Sequence, residues 1–133
     1  MHKGTIAVNS SKKIEFIDIT AQINQTIDTN GCQSGICYLY NPHTTAAVTI
    51  NEGADPAVQD DLAAAFKRMV PEQHHYKHLE GNSQAHVMTA MVGSSAMVFI
   101  ENGVAQLGTW QRIFFCEFDG PRNRKLHWRL VGD

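Results

Sequence analysis

Apolar residues recur along this chain with two periods, and each change of period marks an element. Ile6 to Val8 and Ile14 to Ile19 have the short spacing of strands, the second alternating Ile14, Phe16 and Asp18 against Glu15 and Ile17. Ile19, Ile23 and Ile27 then fall four apart, which gives a short helix one apolar stripe, entered at Thr20 as N-cap and left near Asn30-Gly31. Ile36 to Tyr40 and Ala46 to Ile50 are runs rich in β-branched and aromatic residues. They are expected to be neighbouring strands, with Pro42 interrupting the ladder between them.

The longest helix is expected after Asp55, a cap residue followed by Pro56 in the first turn, with Val58, Leu62, Phe66 and Met69 on one face. Lys67 and Arg68 complement its C-terminal dipole and Pro71 stops it. A further helix starts at Asn82 or Ser83 and runs to Val92, with Gly93 as the C-terminal left-handed residue and Val87, Met88, Met91 and Val92 as core. From Ser95 onward the pattern is all strand. Ala96 to Glu101 turns at Asn102-Gly103 into Val104 to Leu107, and Thr109 to Phe118 turns at Asp119-Gly120-Pro121 into Asn123 to Val131. The fold class expected is α+β: a mainly antiparallel sheet or sandwich with about three helices packed on it, in a single domain over residues 1–133.

Length agrees with that picture, since 133 residues bury roughly 70% of the extended chain's surface and need no covalent staples. Cys32, Cys37 and Cys116 are odd in number and lack a Cys-x-x-Cys spacing, which fits structural thiols in a reducing, cytoplasmic setting. No apolar run reaches the roughly 20 residues of a membrane span, and no leader-like N-terminus is present. Eleven basic against thirteen acidic side chains leave no broad electrostatic footprint for nucleic acid. The local exception is Arg122, Arg124, Lys125 and Arg129.

Candidate chemistry is concentrated in His78-Leu79-Glu80-Gly81-Asn82-Ser83-Gln84-Ala85-His86. Imidazoles and a carboxylate are the groups that hold a transition metal or move a proton near neutral pH. With His43, at a strand junction, His78 and His86 make a nitrogen set for a metal with one open position, although the spacing matches no zinc-site pattern. His2, His74, His75 and His127 read as ordinary solvated residues. Glu52 closes a strand and opens a helix, where free backbone N–H groups gather, and has no structural explanation as direct as that of the cap Asp55. Glu117 lies in an otherwise apolar strand and needs a cation, with Arg112, Arg122 or a metal as partners. Gly108-Thr109-Trp110-Gln111 offers a flat wall for a ring, or a structural bulge with a core tryptophan.

Several of these motifs together carry a resemblance. His43-Thr44-Thr45, Asn51-Glu52, Asp55-Pro56, Tyr76-x-His78, Glu80-Gly81-Asn82, Ala85-His86, Gly93-Ser94-Ser95, Leu107-Gly108-Thr109-Trp110-Gln111 and Glu117-x-Asp119-Gly120-Pro121-Arg122 resemble the YjbQ family, also called UPF0047, nearly end to end. The family pattern has a lysine shortly after the histidine that matches His86, where this chain reads Val87-Met88-Thr89. The resemblance implies a small cytoplasmic α+β protein assembled as a homotrimer. It also implies a secondary thiamine-phosphate synthase activity, which joins hydroxymethylpyrimidine diphosphate to thiazole phosphate and releases diphosphate. On that reading Glu52, Glu80 and His86 are catalytic, and Asn82, Trp110, Gln111, Arg122 and Arg124 bind substrate. A divalent ion, zinc or magnesium, sits on His43, His78 and His86 or on Glu52 and Glu80. Two rivals use the same residues: a metal-dependent hydrolase of a small metabolite, and a non-catalytic trimeric protein that captures a metabolite or anion.

Overall fold

A computed structural model describes residues 1–133. Eight strands and three helices alternate as β1 (His2–Asn9), β2 (Glu15–Asp18), α1 (Thr20–Thr29), β3 (Ser34–Tyr40), β4 (Ala46–Glu52), α2 (Pro56–Met69), α3 (Ser83–Val92), β5 (Ser95–Glu101), β6 (Val104–Ala105), β7 (Gln111–Glu117) and β8 (Asn123–Gly132). They form two antiparallel sheets, a large one in the order β1-β8-β3-β5-β6 and a small one in the order β2-β7-β4.

The sheets pack face to face, because strands of both alternate apolar residues inward. Val8, Cys37, Leu39, Val98, Ile100, Leu126 and Leu130 of the large sheet meet Ala46, Val48, Ile113 and Phe115 of the small one, and Ile23 and Ile27 of α1 join that core. A second core lies on the other side of the small sheet, where Ala47, Phe114 and Cys116 meet Ala85 and Met88 of α3, with Val70, Phe118 and half-buried Phe66. The central strand β7 is therefore covered on both faces, and Ile113 to Glu117 are all buried. Cys37 and Cys116 sit one in each core, and burial pushes both thiols up to about 12, Cys37 with help from Cys32. They are packing groups with no thiolate character at neutral pH.

Several expectations change on contact with this architecture. Strands β3 and β4 are not neighbours: β3 pairs with β5 and β8, β4 with β7. Buried Asn41 makes the crossing between sheets, its Nδ2 donating to the carbonyls of His43 and Ala46 and its amide to Ser94. Strands β7 and β8 likewise belong to different sheets, since β2 and β4 already flank β7. Asn102-Gly103 does close a hairpin, with both residues at positive φ, though β6 is only two residues long.

Thr20 is the first helical residue rather than the cap. Asp18 accepts from its amide, and Thr20 Oγ1 accepts from the Ile113 N–H. Asp55 caps α2 as expected by accepting from Ala57 N. No residue of α2 is fully buried, and Met69, Val87 and Met91 are exposed rather than core. No helix is long and apolar enough to cross a membrane.

Candidate functional site

The two sheet crossings and the start of α3 converge at one corner of the sandwich. The β3–β4 crossing delivers Pro42 to Thr45, the β7–β8 crossing delivers Asp119, Arg122 and Arg124, and α3 delivers Asn82 and His86. With Glu80 these residues line a cavity of about 340 Å³ that has no hydrophobic residue in its wall.

Beneath the cavity lies the feature that fixes it. Glu117, at 0% exposure, is the carboxylate expected to need a cation, and its partner is Arg124, at 5%. The guanidinium donates through Nε and Nη2 to the two carboxylate oxygens, and Nη2 also donates to Thr45 Oγ1 at 2.8 Å and to the Thr45 carbonyl at 3.2 Å. Ser10 Oγ donates to Glu117 Oε1 at 2.7 Å and the Asp119 amide to Oε2 at 3.0 Å. Burial works to raise the Glu117 pKa, but Arg124, Ser10 and the Asp119 amide together outweigh it and hold the carboxyl below its usual range. Arg124 therefore has a structural task that its sequence position concealed, and only Nη1 is left free toward the cavity.

Arg122 is held similarly, with Nε on the Asp119 carbonyl and Nη2 on Asp119 Oδ2, both at 2.9 Å, leaving Nη1 free. Asn82 Nδ2 donates to the same Asp119 oxygen at 3.0 Å, while Asn82 Oδ1 is shielded from solvent with no partner. The amides of Thr44 and Thr45 likewise have no hydrogen-bond partner. Thr45 is buried and Thr44 exposed, and their two consecutive N–H groups lie with two guanidinium edges around the same cavity, a set of donors that suits an anion.

The histidines have distinct roles. His86 Nδ1 lies 3.1 Å from the Thr44 carbonyl, which can only accept, so Nδ1 is the donor in that bond and Nε2 is left without a partner in the chain. His43 Nε2 is 2.9 Å from the Lys125 amide and 3.1 Å from its carbonyl, so strand β8 engages that nitrogen in either tautomer. Burial lowers the His43 pKa, and the Arg124 charge lowers it further. His78 sits on the rim, its ring edge-on to His86 with centroids 5.2 Å apart and its Nε2 3.7 Å from Glu80 Oε2.

A zinc or magnesium ion does not fit this arrangement. No three His, Cys, Asp or Glu side chains gather closely enough here to hold one, and strand β8 already engages His43 Nε2. His43, His78 and His86 are brought near one corner without converging on a point.

Glu52, Trp110 and Gln111 lie elsewhere. The β4–β7 ladder places Ala46 opposite Glu117 by the cavity and Glu52 opposite Gln111 six residues further on, roughly 20 Å away at the rise of a strand. Glu52 Oε2 accepts from the amides of Ala54 and Asp55, which explains it as the stabiliser of the turn into α2. Gln111 Oε1 accepts from Gly108 N, and Trp110 is 63% exposed, so it is not the core tryptophan of a bulge. Conversely, Ser10, Asp119 and the Thr44 and Thr45 amides belong to the site although sequence did not select them. Asp119 stood next to a flagged Gly-Pro turn, whereas Ser10 carried no signal.

Fold and site together define a class: a two-sheet α+β sandwich with a polar, arginine- and histidine-lined pocket where its sheets cross. The chain matches the family described as UPF0047 protein YjbQ-like over residues 4–133, and it belongs to that family. It is 44% identical to the UPF0047 protein MJ1081 of Methanocaldococcus jannaschii over 95% of this chain and 91% of that one. Identity is also 44% to the UPF0047 protein YugU of Bacillus subtilis, over 96% and 98% of the two chains. A YjbQ/UPF0047 protein from Clostridium acetobutylicum superposes with a TM-score of 0.93 at 43% identity, over 96% of this chain and 98% of that one. A protein from Aeropyrum pernix does so with 0.94 at 32% identity over all of both chains.

Proposed function

We propose that this is a cytoplasmic protein that binds a small phosphorylated metabolite in the corner pocket, and that thiamine-phosphate synthesis is the reaction the pocket serves. The observation that carries the reading is the convergence of free donors, Arg122 Nη1, Arg124 Nη1 and the Thr44 and Thr45 amides, beside the unpartnered Nε2 of His86. In that synthesis a carbon–oxygen bond to diphosphate breaks as the thiazole nitrogen attacks the pyrimidine methylene. The protein's part is to stabilise charge on the departing diphosphate, which fixed guanidinium and amide donors do without reorganising. His86 Nε2, which has no partner within the chain, is an acceptor for a hydroxyl or amino group on the rest of the ligand.

The homotrimer belongs to the same proposal. Tyr38, Tyr40, Met97, Phe99 and Val131 lie together on the outer face of the large sheet, each about half open to solvent in the single chain, with Ile36 partly covered among them. Apolar patches of that extent mark contact surfaces.

Titration calorimetry with inorganic pyrophosphate, then incubation with hydroxymethylpyrimidine diphosphate and thiazole phosphate, tests the reading. Binding is expected to weaken at least about tenfold in Arg122→Ala, the loss of one charge-assisted hydrogen bond. Formation of thiamine phosphate is expected to fall in the same variant. Binding without turnover leaves the capture role alone, and absence of pyrophosphate binding overturns the proposal.

A further inference from the structure

No hydrophobic residue lines the pocket, yet a leucine stands beside it at 95% exposure. Leu79 belongs to the segment 70–82 that links α2 to α3 without regular structure. Segments of this length inside a small domain are usually functional.

Its attachments are uneven. The first half is braced: Glu72 pairs with Lys13 of the body, and within the segment Tyr76 donates through its hydroxyl to the Pro71 carbonyl and through its amide to the His74 carbonyl. Residues 77–81 make no hydrogen bond to the body of the protein. That free tip carries His78, Leu79 and Glu80, the last with its side chain 76% exposed, above the anion-binding donors. Its far end is Gly81, at φ +79 with nothing within 4 Å of where a side chain would begin. Next to it, Asn82 Oδ1 is shielded from water without a donor. The open arrangement thus leaves an apolar side chain in water and a polar atom unpaired, at the tip and at the hinge of one segment.

We infer that residues 77–81 are a lid that closes over the occupied pocket, hinged at Gly81. This rests on the anion-binding reading of the pocket. Closure lays Leu79 across the mouth and supplies the apolar cover the pocket lacks. It also moves His78 from the rim toward the bound anion and excludes water from it.

Lys77, exposed at the base of the tip, makes the motion measurable by trypsin, because cleavage follows the population of the open form. The rate of cleavage after Lys77 is measured by mass spectrometry with and without inorganic pyrophosphate, cleavage after exposed Lys12 serves as the internal standard, and calorimetry is run on the same sample. Pyrophosphate is expected to slow cleavage after Lys77 by roughly tenfold relative to Lys12, and this protection is expected to vanish in Leu79→Ser. If pyrophosphate binds while the Lys77 rate is unchanged, the lid is refuted and the pocket stands. If pyrophosphate fails to bind, both fall together.

Discussion

Replacing Arg124 by methionine separates the structural role of the buried ion pair from its role in the pocket. The variant keeps most of the side-chain volume and removes two charge-assisted bonds to Glu117 and two bonds to Thr45. Glu117, wholly buried, then keeps only Ser10 Oγ and the Asp119 amide. Stranding one partner of a buried pair costs about 3–5 kcal/mol, and the two remaining hydrogen bonds place this case near the lower end. With a urea slope of about 2 kcal/mol per molar, the unfolding midpoint at pH 7.5 should fall by roughly 1.5 M.

The pH dependence discriminates further. In the wild type the Glu117 pKa is depressed, so the pair's contribution is full above the ordinary carboxylate pKa and is lost as pH falls through the lower folded value. Without Arg124, burial is the dominant influence and raises the folded pKa, so the variant's penalty is largest at neutral pH and shrinks as acid neutralises the stranded carboxylate. Urea unfolding at fixed protomer concentration, at pH 7.5 and again near pH 5, reads both effects. Glu117→Leu combined with Arg124→Met should recover most of the loss, since an apolar pair of similar volume leaves no buried charge. A single-variant cost below about 1 kcal/mol, or one equal at both pH values, would refute this account of the pair.

Two further outcomes are expected. The His43 ring should titrate by NMR below the usual value of about 6.5, because burial and then the Arg124 charge disfavour its protonated form. The unfolded chain binds that proton more readily, so stability is lost as pH drops below about 6.5, and a His43 midpoint at or above that value would contradict the geometry. On the trimer proposal, light scattering should give the mass of three 14.8 kDa chains for the wild type and of one for Phe99→Asp. An unchanged mass would remove the outer sheet face as the contact between copies.

What sequence conveyed well was local. The stripe of Ile23 and Ile27, the Asp55-Pro56 helix start and the Asn102-Gly103 turn each depend on neighbours within a few positions, and each is found in place. Partner choice between strands is not local. Asn41 to Thr45 and Asp119 to Arg122 look like hairpin turns, and only the coverage of β7 on both faces shows that each crosses between sheets. The same crossings hid the pairing of Glu117 with Arg124, seven residues apart in the chain and on opposite sheets. The structural task of Glu52 was not legible because a carboxylate that receives turn amides has the same sequence surroundings as one that receives a ligand. Residue type alone singled out His43, Asn82, His86 and Arg122, since such groups at chain reversals outnumber the structural tasks sequence could assign to them.

Glu117 stands on one sheet and Arg124 on the other, and Thr45 lies on the crossing between them. A molecule that grips the free edge of Arg124 and the Thr45 amide therefore bridges the two layers whose parting is the act of unfolding, and the site cannot melt ahead of the rest. Its binding should accordingly register as slower hydrogen exchange in the core strands and as a higher melting temperature, with about 2.7 kcal/mol gained at a hundredfold excess over Kd. A metabolite library can then be sorted by melting alone, with no assay for the reaction, and the compounds that raise it read back the chemistry that this corner was shaped to hold.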